Sequence, residues 1–349
     1  MPLPDGEHVD VACWVVRGAS RRRGAPSDAP VLYVHSTQHG NEISGIEVVR
    51  RVVSSLDPVR LRGTVIGIPI ANPLAFHWRR HHYQQGPEEA YQARPELDVD
   101  HFWPGDPDGT HVQRLAHSLW HHAVRHATHV LDMHTWNRWQ AAATTVRAWH
   151  APSLELAKAF GLWVQRRPES SPEDDGPTGS ITAISIRHGK AACAPNFTGQ
   201  WDIYESEVRR GVAGLRNVLR HLGMLPGEPL AARHRNTSAT NPHGLSREGI
   251  YAAPPIYSPQ DVVEVRAPAA GLFLPAVKPE AFVRHGETLG TLVRFDDFQE
   301  QPVLAPLDAL VQRIGAIGPS ADVALPPMMP IAAAGARVAA LLPLPAGSA

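Results

Sequence analysis

Cysteine is nearly absent from this chain: Cys13 and Cys193 are the only two in 349 residues. They stand far apart, without Cys-x-x-Cys spacing, so neither a disulfide framework nor a thiolate metal site is indicated. A long apolar run is also missing. No stretch approaches the ~20 residues that span a bilayer, and the opening Met-Pro-Leu-Pro-Asp-Gly-Glu-His lacks the charged and apolar segments of a secretion signal. Nor does one sign of charge prevail. Lys and Arg number 33 against 34 Asp and Glu, a net of −1, and the arginine runs at 21–23, 79–80 and 209–210 are short. That balance argues against nucleic acid or an anionic membrane as a partner. The absences together fit a cytoplasmic protein acting on a small molecule, and they are compatible with a homo-oligomer.

What the chain has is histidine, 20 of them, placed in part where chemistry is done. Residues 31–45, Val-Leu-Tyr-Val-His-Ser-Thr-Gln-His-Gly-Asn-Glu-Ile-Ser-Gly, form an apolar β-rich run followed by a polar turn that opens an amphipathic helix, with Ile43, Ile46, Val49 and Val53 at near-helical spacing. The turn carries His39 and Glu42. A second apolar run, Val-Leu-Asp-Met-His-Thr at 130–135, carries His134. Strand ends of open α/β sheets are where such folds place their sites, and two His plus one carboxylate leave a zinc ion an open position for water. The spacing by itself equally admits a first-turn acid facing the helix dipole and a surface histidine. Asp132, two residues before His134, shares its face of the strand and is a candidate to orient a ligand.

From about residue 11 to 225, short apolar strands alternate with helical segments, predicting an α/β fold with helices on both faces of a mixed central sheet. Strands are expected at 11–16, 31–35, 64–70, 130–134, 142–149 and 191–198, and helices at 42–55, 111–126, 153–160 and 205–222. Residues 77–109 are too long for a simple connection and read as a functional wall or lid. After Leu225 proline and glycine rise and helical periodicity stops. The division expected is 1–230 for the catalytic domain and 231–349 for a small all-β domain with a flexible tail. Within the latter, the stretches from Val265 and from Val303 resemble each other, each with Ala-Pro, a turn and a β-run, which suggests a small barrel of two related halves.

Several stretches resemble the succinylglutamate desuccinylase/aspartoacylase family of zinc-dependent amidohydrolases, relatives of the zinc carboxypeptidases: Gln-His-Gly-Asn-Glu-Ile-Ser-Gly (38–45), Asn-Pro-Leu-Ala-Phe (72–76), Asp-Val-Asp-His-Phe-Trp-Pro-Gly (98–105), Leu-Asp-Met-His-Thr (131–135) and the helix 214–225. The resemblance implies one Zn2+ held by His39, Glu42 and His134, cleavage of an amide bond, and a C-terminal barrel of the biotinyl/lipoyl-like kind.

The departures from the family pattern are as informative. Its glutamate base lies in a Thr-x-Glu motif, matched here by Thr198-Gly199-Gln200, and a neutral amide cannot accept a proton as a carboxylate does. Asp202 and Glu205 follow closely and are candidate replacements. The Asn-Arg pair that would grip a carboxylate is replaced by Asp100-His101, which suggests a neutral or cationic group there. The arginine that assists at the scissile carbonyl falls at His81, or at Arg80 after a one-residue slip; either could stabilise an oxyanion. Asn72, Trp103 and Trp136 flank these motifs as candidate substrate contacts, part of a tryptophan-rich setting that suits an apolar wall. The expected activity is a deacylase acting on a small N-acyl amino-acid-like or specialised metabolite. The competing readings are a non-hydrolytic zinc enzyme of the same fold and a non-catalytic zinc-binding homologue.

Overall fold

A computed structural model describes residues 8–19, 29–78, 80–82, 95–136, 141–168, 178–199, 201–229, 249–251, 253–317 and 331–344. These fall into two compact units. The first takes the described residues of Met1–Gly86, Arg94–Thr135 and Thr144–Ile256, and the second those of Trp136–Ala143 and Tyr257–Ala349.

The first unit is a mixed α/β layer structure. Its strands are β1 (Trp14–Arg17), β2 (Val31–Ser36), β3 (Thr64–Ile68), β4 (His129–Thr135), β5 (Thr145–Ala148), β6 (Trp163–Arg166) and β7 (Ala191–Phe197). They lie in the order β1-β3-β2-β4-β7-β5-β6, with the two-residue strand Ile256–Tyr257 at the far edge. The central β3, β2, β4 and β7 run parallel, whereas β1 is antiparallel to β3 and β5 to β7. Every residue of β2 is buried, as a parallel strand covered on both faces requires.

Side-chain alternation sorts the strands into two cores. Leu32, Val34, Leu131, Met133, Val146 and Cys193 pack with α1 (Ser44–Ser54), α4 (Ala151–Phe160) and α6 (Glu205–His221). Tyr33, Val130 and Ala192 pack on the opposite face with α3 (His111–His122) and α5 (Ile181–Arg187). Helices thus cover both faces, as the alternating pattern predicts. Asn72 accepts from the Ala75 amide at the start of the short helix α2 (Pro73–His77). Neither α2, α5 nor β6 is among the elements expected from the sequence, all three being seven residues or fewer.

The second unit is built of β-strands, and its sheets do not confirm the expected small barrel. Its strands form two open antiparallel sheets. One runs Val263–Arg266, Arg337–Pro343, Ala309–Ile317, Phe282–Val283, with Ala141–Ala142 also on Ala309–Ile317; the other runs Glu300–Leu304, Thr288–Arg294, Gly271–Pro275, Ile331–Ala332. Three of these strands are only two residues long, too short to carry a continuous ladder around a cylinder. Phe273, Leu292, Val311 and Leu341 are among the buried residues of the apolar cluster the two sheets share. The two look-alike stretches sit at equivalent corners. Ala267-Pro268 and Ala305-Pro306 each fall between a strand of one sheet and a strand of the other.

Candidate active site

The turn from β2 into α1 is held open in an unusual conformation. Thr37 has φ 58°, a left-handed geometry that costs a β-branched residue of the order of 1–3 kcal/mol. Its hydroxyl donates to the Glu42 carbonyl at 3.0 Å, and the amides of Ala71 and Asn72 donate to the carbonyls of Ser36 and Thr37. So anchored, the turn aims His39 and Glu42 at the end of β4, where His134 waits. All three are buried.

Both imidazoles present Nδ1 to one carboxylate. His39 Nδ1 lies 3.1 Å from Glu42 Oε1, and His134 Nδ1 lies 2.8 Å from Oε2, which also accepts the Thr135 amide at 3.0 Å. The outward Nε2 atoms are each gripped by an aspartate: His39 by Asp98 at 3.1 Å, His134 by Asp132 at 2.8 Å. Asp132 reaches further, its other oxygen meeting His35 Nε2 at 2.7 Å, while His35 Nδ1 is 2.9 Å from the Tyr33 hydroxyl.

This arrangement passes the test for a divalent cation. Donor atoms around a tetrahedral ion at ~2.1 Å stand about 3.3 Å from one another, close to the separations found. His39 Nδ1 is buried yet has no hydrogen-bond partner, because the Glu42 oxygen lies off line. Carboxylates on the outer nitrogens leave the inner ones with lone pairs for a metal.

The electrostatics tell the same story without an ion. Burial would lower both imidazoles, but Glu42 and Asp98 hold His39 well above its ordinary value, and Asp132 and Glu42 push His134 up to about 10. Burial would raise Glu42, and His39 with His134 overrides it and keeps the acid well below the usual range.

Around this centre the other candidates divide. His81 joins it: the ring stacks on His39 with centroids 4.0 Å apart, and Nδ1 meets Asn41 Oδ1 at 2.9 Å. Burial and the neighbouring His39 hold His81 well below its ordinary pKa. Arg80 instead lies with its guanidinium 6.0 Å from the Trp78 ring centroid. Asp100 also joins, with Oδ2 3.9 Å from His134 Nε2 and Oδ1 buried without a partner; burial and nearby Asp132 raise its pKa. His101 is half exposed, 3.9 Å from Asp98.

Five candidates are placed otherwise than expected. Glu205 stands on the exposed start of α6, both oxygens 2.9 Å from the Arg51 guanidinium, so it cannot serve as the replacement base. Asp202 is exposed as well. Asn72 spends its side chain capping α2. Trp103 is fully buried with its indole N–H on Gln38 at 2.9 Å, and so forms the packing beneath His35 rather than a surface for substrate. Trp136 belongs to the second unit, where its indole donates to the Ala143 carbonyl and Arg313 lies over its ring at 4.9 Å. Gln200 lies outside the described residues.

Two residues went unanticipated. His35 and Arg147 are titratable side chains within apolar strand runs, and that anomaly was the signal available to find them.

The fold and the paired histidines after β2 and at the end of β4 define an α/β protein with a candidate metal centre at the carboxyl ends of its strands. The sequence pattern of the succinylglutamate desuccinylase/aspartoacylase catalytic domain matches residues 28–222, more than half of the chain, and the protein belongs to that family. Members of the family are deacylating hydrolases that act on amide bonds. An N-alpha-acetyl-L-2,4-diaminobutyric acid deacetylase of Halomonas elongata is 27% identical over 211 residues; the match covers 58% of this chain and only 57% of that relative's length. The fold resembles a succinylglutamate desuccinylase/aspartoacylase from Rhodobacter sphaeroides (TM-score 0.68, 23% identity, 98% of this chain and 92% of that one). It also resembles the product-bound ectoine utilization protein EutE (DoeB) from Ruegeria pomeroyi (TM-score 0.66, 19% identity, 98% and 92%). Among the described residues no helix is long and apolar enough to cross a membrane.

Proposed function

We propose that this protein is a zinc-dependent deacylase that cleaves the amide bond of a small N-acyl amino-acid-like molecule and recognises a neutral or cationic group beside His134. The observation that carries the reading is the convergence of His39 Nδ1, His134 Nδ1 and both Glu42 oxygens in a buried cluster whose outer nitrogens are held by Asp98 and Asp132. Zinc bound there would lower the pKa of its water and polarise a carbonyl oxygen. The chain's own residues supply the rest. Asp98 and Asp132 keep the imidazole protons on Nε2. Asn41 keeps the His81 proton on Nδ1, which lies 3.9 Å from Glu42 Oε1, and leaves Nε2 as the acceptor of that ring. Asp100, a half-buried carboxylate in place of the family's asparagine, repels a substrate carboxylate and favours an ammonium or a neutral polar group. The Halomonas relative, named for an acetylated diamino acid, agrees with that preference.

A second reading rests on Gln200, the residue at the base position, together with the commitment of Glu205 to Arg51. With no carboxylate base, the same centre would serve acyl transfer or another non-hydrolytic step. One experiment separates the readings. Metal content is measured, and turnover of N-acetyl amino acids and diamino acids is assayed in wild type, His39→Ala and Gln200→Glu. The deacylase reading expects bound zinc near one per chain and wild-type hydrolysis lost at least about a hundredfold in His39→Ala. Hydrolysis gained only in Gln200→Glu favours the second reading. Zinc-free protein after growth and purification with zinc excludes both.

A further inference from the structure

We propose that Arg147 binds a carboxylate of the substrate, taking over from a different strand the role that the Asp100-His101 pair cannot perform. This rests on the amide-cleaving reading above and gives its substrate a second recognised end.

Placement comes first. In β5, Val146 and Ala148 face the core shared with α1, α4 and α6, so Thr145 and Arg147 face the other side. On β7 that side carries Ala194 and Asn196, and on β4 it carries Asp132 and His134. The register makes this concrete: Thr145 pairs with Asn196 and Asn196 with His134, while Arg147 pairs with Ala194. Adjacent strands are ~4.8 Å apart. The small Ala194 leaves the long side chain room to run along the sheet, and Arg147 Nη2 reaches to 3.4 Å from Asn196 Oδ1. The guanidinium therefore ends beside the residue that pairs with His134.

Its partners come second. Among the described residues its one hydrogen bond goes to the Asn196 amide oxygen, a long one, and no carboxylate pairs with it. Its Nε is buried with nothing to donate to, and so is the neighbouring Thr145 hydroxyl. A cation drawn from water without a counter-ion is costly, and the forked guanidinium is matched to a carboxylate.

The charges then sort a substrate. Asp100 stands by His134 with a free oxygen, and Arg147 approaches from the β7 side by way of Asn196. A molecule with a carboxylate for Arg147 and an ammonium for Asp100 would satisfy both, which describes an N-acylated diamino acid rather than an N-acylated acidic one.

The test uses the full-length, zinc-supplemented protein as wild type, Arg147→Met and Arg147→Lys, with N-acetyl-L-2,4-diaminobutyrate and its carboxamide as probes. Wild type should prefer the acid by about tenfold or more in kcat/KM. Arg147→Met should raise KM for the acid by about ten- to a hundredfold, leave the carboxamide unchanged and leave zinc content and kcat largely intact; Arg147→Lys should fall between. Equal losses for acid and carboxamide, or no change for either, would overturn the assignment. If wild type cleaves neither probe, the deacylase reading is what fails, and calorimetric binding of 2,4-diaminobutyrate and its carboxamide decides for Arg147. Tighter binding of the acid that Arg147→Met removes supports it, and equal or absent binding overturns it. If Arg147→Met does not fold, Arg147→Lys carries the same comparison.

Discussion

Asp132 shows how much one carboxylate settles. Its two oxygens take the Nε2 protons of His35 and His134, at 2.7 and 2.8 Å, and the Tyr33 hydroxyl secures His35 from behind. Burial would raise this acid, yet His134 and His35 hold it well below the usual carboxylate range. An asparagine would keep the shape and lose one acceptor and the charge, so His134 would no longer be held in the tautomer that turns its lone pair inward. Asp132→Asn should weaken zinc binding about 10- to 100-fold in a competition titration against a chromophoric chelator, with the circular dichroism spectrum unchanged. An unchanged affinity would show that the inner three donors need no orienting partner. Sequence marked Asp132 because period two places it on the face of His134. Asn72, Trp103 and Glu205 were suggested instead by nearness to the motifs, and their residue types suit a cap, a core and a surface ion pair as well as they suit a site; only the partner distinguishes these uses.

At the scale of elements, the long periodic segments were legible and the short ones were not. The buried runs of β2, β4 and β7 and the amphipathic α1 and α6 repeat their pattern often enough to be recognised. A five-residue helix such as α2 shows barely one turn, although its Asn-Pro start is a cap signal. That the C-terminal sheets stay open could not be read from the sequence, since it depends on pairing between distant strands, several only two residues long. The short α2 matters for the site because it presses on the β2–α1 turn. A Cβ on Gly40 would lie 2.1 Å from the Ala75 carbonyl carbon and 2.3 Å from its oxygen, backbone atoms with no room to yield, and the Gly40 amide donates to the His81 carbonyl at 3.1 Å. Gly40→Ala is expected to cost about 1–3 kcal/mol, seen as a lower unfolding midpoint in denaturant, and to weaken zinc binding through the displaced turn. A variant as stable as wild type would mean that α2 moves freely.

For the whole molecule the decisive number is the histidine count. With 33 basic and 34 acidic residues the chain is nearly neutral at pH 7, and once unfolded its 20 histidines take up protons just below that, so acidification raises a strong net positive charge on the unfolded chain within about two pH units. The folded state resists part of that uptake. His129, at the start of β4, is held below its ordinary value by burial and then by His221, and exposed His121 is held down chiefly by Arg125. In the unfolded chain both bind protons at the ordinary histidine pKa of about 6.5, so between there and their lower folded values the unfolded state carries more protons. Stability from these groups is fully present above about pH 6.5 and is lost as the pH falls. The share of the thermal midpoint that these two groups supply should therefore decline from pH 7.5 to pH 5, while His39 and His134, held above the ordinary value, act in the opposite direction. His129→Gln should remove its part of that decline, because its side chain takes up no proton in either state. A slope identical in His129→Gln and wild type would place the acid sensitivity elsewhere among the histidines.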